Sequence, residues 1–135
     1  MKKRTSGFTL IEMLVVLVLI SLLAGLVGPR LFQQVGGSKT KVAAAQVELL
    51  TSALNTYRLD VGEAPTTEQG LSALMSAPNA ARGWNGPYLT KDVPVDPWNR
   101  PYIYELKANG DFALYSFGRD GSKGGEGEDQ DVGLF

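Results

Sequence analysis

From Phe8 to Val27 the chain reads FTLIEMLVVLVLISLLAGLV, twenty residues with a single charge. A helix rising about 1.5 Å per residue covers a hydrocarbon layer of roughly 30 Å with that length, so residues 8–28 are expected to span a membrane. The pattern then loosens. Pro29 removes a backbone donor, and Gly25, Gly28, Gly36 and Gly37 weaken the same stretch, so a bent or locally opened, pliable segment is expected there. Helical spacing returns at Ala43, Val47, Leu50, Leu54, Tyr57 and Val61, steps of four and three that place one apolar stripe along a helix. Lys39, Lys41, Glu48, Ser52, Asn55 and Arg58 fall off that stripe. Residues 29–61 therefore read as an amphipathic continuation whose stripe packs on a globular head.

Beyond residue 62 the chain turns to Pro, Gly and aromatics, the composition of loops and short strands. In EAPTTEQGLSAL, Thr66 or Thr67 can cap a short helix that buries Leu71, Leu74 and Met75. Strands are expected at 101–106 and 112–117, joined at Asn109-Gly110, a pair suited to a tight hairpin. Apolar residues fall on both faces of that hairpin: Tyr102, Tyr104, Phe112 and Leu114 on one, Ile103, Ala113, Tyr115 and Phe117 on the other. Trp84, Tyr88, Trp98, Tyr102 and Tyr104 are assigned to a core, because a head of about 75 residues without disulfides needs large side chains to build one. The fold class is α+β, a long N-terminal helix on a small antiparallel sheet.

Composition narrows the chemistry. The 135 residues, enough for one domain, contain neither Cys nor His. There is no thiol nucleophile, no Ser-His pair and no disulfide, and a metal would sit on oxygen ligands. Carboxylates remain as the candidate general bases and none is paired in a pocket by this pattern, so an enzyme is not expected. The charges are 13 basic against 14 acidic, with Lys2, Lys3 and Arg4 at the start and Asp120, Glu126, Glu128, Asp129 and Asp131 near the end. That layout argues against a nucleic-acid surface. The basic cluster should stay in the cytoplasm, placing the chain after residue 30 across the membrane. A cleaved secretory signal is the competing reading of the start. Against it stand the length of the apolar run, the lack of a small-x-small site, with Leu22 two residues before Ala24, and the helical pattern that resumes afterwards.

Glu12 fits neither bland reading, because an ionised carboxylate in lipid needs a partner or a proton. A cut between Gly7 and Phe8 would expose an amine four residues away, and a neighbouring copy could supply such an amine; a protonated, snorkelling Glu12 is the alternative. KKRTSG followed by FTLIEMLVVLVLISLLAGL resembles the amino-terminal segment of the type IV pilin and pseudopilin family. The resemblance implies that residues 1–7 are a leader removed by a membrane prepilin peptidase after Gly7. It also implies that Phe8 is N-methylated and that Glu12 registers subunits by pairing with a neighbour's amine. TTEQGLSALMSAP, GWNGPYL, PVDPWNRPYIYEL and YSFGRDGSKGGEGEDQDV resemble the major pseudopilins of type II secretion, and the missing Cys pair favours that branch.

Residues 118–131 hold six Gly or Ser and five acidic residues, too polar for a core and too charged to fold alone. Calcium, which takes six to eight oxygen ligands, would suit them; so would a solvated acidic tail. Asp129 and Asp131 share a side if that piece is extended. The resemblance favours calcium, held by Asp120, Asp131 and, less securely, Asp129, with the Phe117 carbonyl as a further ligand. It also implies a homopolymeric periplasmic filament that promotes export of folded proteins. The partners it implies are minor pseudopilins at the tip, an inner-membrane assembly platform with its cytoplasmic ATPase, and the membrane before assembly. In that account Pro29 lets the helix extend. A pilus subunit for adhesion, motility or DNA uptake, and a monomeric membrane-anchored calcium-binding recognition module, are the alternatives.

Overall fold

The computed structural model describes residues 7–135; the basic cluster Lys2, Lys3 and Arg4 lies outside the described residues. Helix α1 runs Leu10–Val61. Pro29 lies inside it, and the backbone stays helical through Pro29 and the four glycines around it. The expected opening is therefore absent from the single chain. Pro29 costs the helix one donor, toward the carbonyl four residues back at Gly25, while the remaining i→i−4 bonds still close.

The chain divides into two compact units, Met1–Val35 and Gly36–Phe135. In the first, apolar side chains among the described residues are exposed: Leu14, Leu19, Leu23 and Leu26 each show more than half of their surface. Its polar Ser21 donates to the Leu17 carbonyl at 2.7 Å, satisfying the hydroxyl within its own helix. This helix is apolar and long enough to cross a membrane.

In the second unit the helical stripe becomes the core. Ala43, Val47, Leu50, Leu54 and Tyr57 are buried as the spacing predicts, Val61 is half-buried, and Ala53 joins them. Val47, Leu50, Ala53, Leu54 and Tyr57 meet Leu71, Ala73 and Leu74 from one side and Tyr102, Tyr104 and Leu114 from the other. The short helix is a 3-10 turn, Gly70–Leu74. Ahead of it Thr66 and Gln69 form a reciprocal capping pair: the Gln69 N–H donates to Thr66 Oγ1 at 3.2 Å and the Thr66 N–H to Gln69 Oε1 at 2.9 Å. Thr67 is used elsewhere, accepting the Leu106 N–H at 2.9 Å.

Strands β1 (Ile103–Leu106), β2 (Phe112–Ser116) and β3 (Val132–Leu134) form one antiparallel sheet in sequence order. Tyr104 opposes Leu114 in the β1–β2 pair, and both are buried toward the core. The hairpin is wider than Asn109-Gly110 suggests. Gly110 N–H bonds the Lys107 carbonyl at 3.0 Å and Lys107 N–H bonds the Asp111 carbonyl at 2.7 Å, with Gly110 at φ 85°. This is a type I turn closed by one left-handed residue, the three-residue solution. Strand β3, which no sequence pattern announced, pairs Val132 with Ser116 and Leu134 with Leu114. Between them Gly133 lies at φ 145°, and a Cβ there would collide with the Leu114 carbonyl. On the second face Tyr115 meets Phe117 edge-on at 5.1 Å and lies tilted against Phe135 at 5.0 Å.

Four of the five aromatic residues expected in a core reach it: Tyr102 and Tyr104 belong to it and Trp84 and Tyr88 pack against it, while Trp98 is half-buried outside that cluster. Tyr102 and Tyr104 are buried, Tyr104 donates to the Pro65 carbonyl at 2.6 Å, and Tyr102 donates to Gln46 Oε1 at 2.6 Å. Trp84 donates to the Ala73 carbonyl at 2.8 Å and meets Tyr88 edge-on at 5.7 Å.

Candidate functional site: a processing start and an acidic loop

The first site lies where α1 begins. Gly7, Phe8 and Thr9 precede the helix without regular structure. The Thr9 N–H donates to Glu12 Oε2 at 2.9 Å, the Thr9 hydroxyl to the same oxygen at 3.1 Å, and the Glu12 N–H to Thr9 Oγ1 at 3.3 Å. Ser or Thr followed three residues later by Glu is a capping box, which satisfies two of the donors orphaned at a helix start. Thr9 therefore starts the helix, and the Gly7–Phe8 bond sits in the non-helical backbone just outside it. Glu12 thus has a partner in its own chain that the charge argument did not foresee. Phe8 is 79% exposed, beside Leu10 and Ile11 on an uncovered apolar surface.

The second site is the segment 117–131. Phe117 follows β2, half-buried, and its neighbour Gly118 is buried at φ 68°. The chain then runs through Gly121, Gly124 and Gly125, all with positive φ, into a 3-10 turn at Gly127–Asp129. Asp129 ends that turn, and the chain becomes extended only at Gln130, with φ −64° and ψ 137°. Asp129 N–H bonds the Glu126 carbonyl at 3.1 Å, curling the segment, so Asp129 and Asp131 take different partners. Asp129 lies in a fork of Arg119, with Nε to Oδ1 at 2.8 Å and Nη2 to Oδ2 at 2.9 Å. Asp131 Oδ2 accepts the Gly124 N–H at 2.9 Å, while its Oδ1 is buried with no hydrogen-bond partner. Asp120 Oδ1 accepts the Ser122 N–H at 3.0 Å. The Asp129 carboxylate, beside Arg119, raises the guanidinium above its ordinary value.

Two residues that sequence reasoning missed hold this loop to the sheet. Asp96, only 3% exposed, accepts the Trp98 N–H at 3.0 Å and the Arg100 N–H at 2.8 Å on Oδ1. Its Oδ2 accepts the Ser116 hydroxyl in a short bond. These bonds satisfy a buried carboxylate that would otherwise be costly. They also turn the backbone so that the Arg100 guanidinium reaches the Gly118 carbonyl at 2.8 Å and the Arg119 carbonyl at 2.9 Å. Asp96 two residues before Trp98 and four before Arg100 is an Asx-type pattern that could have flagged the turn. Nothing local could have shown that its other oxygen meets Ser116, twenty positions away.

The atoms this loop offers to a cation, carboxylates and carbonyls, are all oxygens, the chemistry a hard cation takes. Among the described residues no three acidic side chains converge as a metal cluster. An ion would thus need backbone carbonyls as well as carboxylates, and the unpartnered Asp131 Oδ1 is the atom that fits such a role.

An exposed apolar helix with a capped start beside a Gly–Phe bond, continued by a head built on a three-stranded sheet, defines a pilin-like subunit. Residues 2–28 match the prokaryotic N-terminal methylation motif, and residues 30–135 match the family model of type II secretion system protein G. The chain belongs to the type II secretion system protein G family. It is 40% identical to the type II secretion system core protein G of Pseudomonas aeruginosa, over 98% of this chain and 96% of that protein. With the core protein G of Vibrio cholerae it shares 38% identity over 98% of this chain and 92% of the relative. Among solved structures, it resembles the major pseudopilin of the type 2 secretion system of enterohaemorrhagic Escherichia coli. The TM-score is 0.59 at 33% identity, over 71% of this chain and 85% of that one. These findings make the chain a structural subunit of a type II secretion pseudopilus, and its apolar helix fits a membrane-anchored subunit.

Proposed function

We propose that a prepilin peptidase cuts this chain between Gly7 and Phe8, that Phe8 is then N-methylated, and that the subunit waits in the inner membrane. The N-terminus is cytoplasmic and the head periplasmic. From there an assembly platform and its cytoplasmic ATPase add copies, beneath minor pseudopilins, to a periplasmic filament that promotes export of folded proteins across the outer membrane. The observation that carries this reading is the start of α1. A non-helical Gly7–Phe8 bond stands beside the Thr9–Glu12 cap and an exposed apolar surface that must be covered by lipid or by other copies. Glu12 receives its two bonds on Oε2, so the carboxylate retains acceptor capacity for a neighbour's amine. The helix, closed through Pro29 in the single chain, lacks the Pro29 donor and is primed to extend there.

In the head, the same reading gives calcium to Asp120, Asp131 and the Phe117 carbonyl, with Asp129 as a further ligand. It is supported by the buried, unpartnered Asp131 Oδ1. Bound there, calcium would cross-link the loop to the end of β2 and oppose the repulsion among its carboxylates.

The test compares culture medium and periplasm from cells with and without the gene. Folded exoproteins should move from medium to periplasm when it is lost. An unchanged medium accompanied by loss of surface fibres would overturn the secretion reading in favour of a pilus subunit.

A further inference from the structure

Of the five acidic side chains in the 117–131 loop, two are engaged by one cation. Arg119 forks Asp129 through Nε and Nη2 at 2.8 and 2.9 Å, and its Nη1 reaches Glu128 Oε2 at 3.3 Å. Its own N–H donates to the Glu128 carbonyl at 2.8 Å. Glu128 is in turn pressed against Gly36 of α1, where an added Cβ would collide with its side chain. Both carboxylates are mostly covered, with side chains 19% and 29% exposed. Arg119 thereby ties the 3-10 turn back to the residue next to Asp120.

We propose that Arg119 is a built-in counter-cation that closes the acidic loop without metal and holds down its affinity for calcium by occupying Asp129. The inference rests on the calcium reading above and adds a residue that this reading does not use. A planar guanidinium matches a carboxylate bidentately, which makes this pair stronger than an ordinary surface contact. Counting Arg119 and Lys123 against Asp120, Glu126, Glu128, Asp129 and Asp131, the loop carries −3. Arg119 supplies the ion pairs to Glu128 and Asp129, and Arg100 adds a second guanidinium at the Gly118 and Arg119 carbonyls. A divalent ion recruiting Asp129 must either displace this guanidinium or bind beside its positive charge. Both weaken binding, by about tenfold for one unit charge close to the ion in water. With Arg119 on Asp129 the loop is held closed, and calcium that recruits Asp129 exchanges one cation for another.

The experiment uses the full-length chain in detergent micelles, with thermal melts in chelator and in calcium chloride and calorimetric calcium titration. Arg119→Gln removes the charge and keeps hydrogen-bonding capacity; Arg119→Lys keeps the charge and loses the fork. In chelator, Arg119→Gln should melt about 3 °C below wild type, the scale of a well-oriented surface pair in a small domain. It should bind calcium about tenfold more tightly and gain more in melting temperature on calcium addition, with Arg119→Lys falling between. An unchanged melting temperature in chelator together with an unchanged or weakened calcium affinity would overturn the proposal. Asp120→Ala with Asp131→Ala separates the two layers. If wild type and this double variant are equally indifferent to calcium, the calcium reading fails and the competition fails with it. If only the double variant loses the calcium response while Arg119→Gln binds as wild type does, the role given to Arg119 alone is overturned.

Discussion

At the scale of single residues, Glu12 shows how one carboxylate can serve two partners. In the isolated chain it accepts the Thr9 N–H and hydroxyl and completes the cap of α1. In the proposed filament it also meets a neighbour's amine. Glu12→Ala should leave the proposed processing at Gly7–Phe8 intact, since that bond lies outside the helix, and should sharply reduce filament assembly. Immunoblotting for the mature chain and counting filaments by electron microscopy check both halves, and normal filaments in this variant would remove Glu12 from assembly. The Thr9–Glu12 cap went unread, although T-x-x-E before an apolar run could have announced it. Asp96 was not legible, because its significance lies in Ser116 and in the fully enclosed site the two share.

Among the elements, the second half of α1 was the most legible, because its stripe repeats at the helical period and one face must leave water. Leu54 is fully buried in that stripe, while Leu49 on the opposite side remains 56% exposed. Leu54→Ala should therefore cost about 2–5 kcal/mol in thermal or denaturant unfolding, against less than about 0.5 kcal/mol for Leu49→Ala. Equal losses at both positions would mean the helix packs on the sheet by another face. The first hairpin was legible in its strands and misjudged in its turn, since positive φ is needed at Gly110 alone. Strand β3 escaped notice because three residues cannot display a period. It is a strand only because β2 offers an edge for it.

The buried tyrosines tie the stability of the whole head to pH, and the expected direction follows from their burial. Burial is the main cause that pushes Tyr104 up to about 12, with a smaller contribution from Tyr57, and burial likewise raises Tyr102. Below the ordinary value near 10 these hydroxyls are neutral in both folded and unfolded chains, and their contribution is complete. Above it the unfolded chain binds fewer protons than the folded one, so stability falls as pH rises, progressively up to about 12 for Tyr104. Melting temperature should thus drop between pH 10 and 12, and Tyr104→Phe should flatten part of that drop. A flat profile in wild type would mean that the hydroxyl is more open to water than its bond to the Pro65 carbonyl indicates.

The amino-acid sequence by itself determined the apolar helix, the amphipathic stripe and the α+β class. Each of these is a local pattern whose period or spacing survives without knowledge of what lies opposite. Only the tertiary structure decided how the acidic segment folds. Whether Asp129 faces Arg119, whether Asp131 keeps an unpartnered oxygen, and whether Asp96 reaches Ser116 all depend on contacts between distant positions. Charge density left two outcomes open, a compensated loop or a solvated tail. Which group compensates the loop is a matter of geometry, because a carboxylate binds whichever cation or N–H the folded backbone brings within about 3 Å.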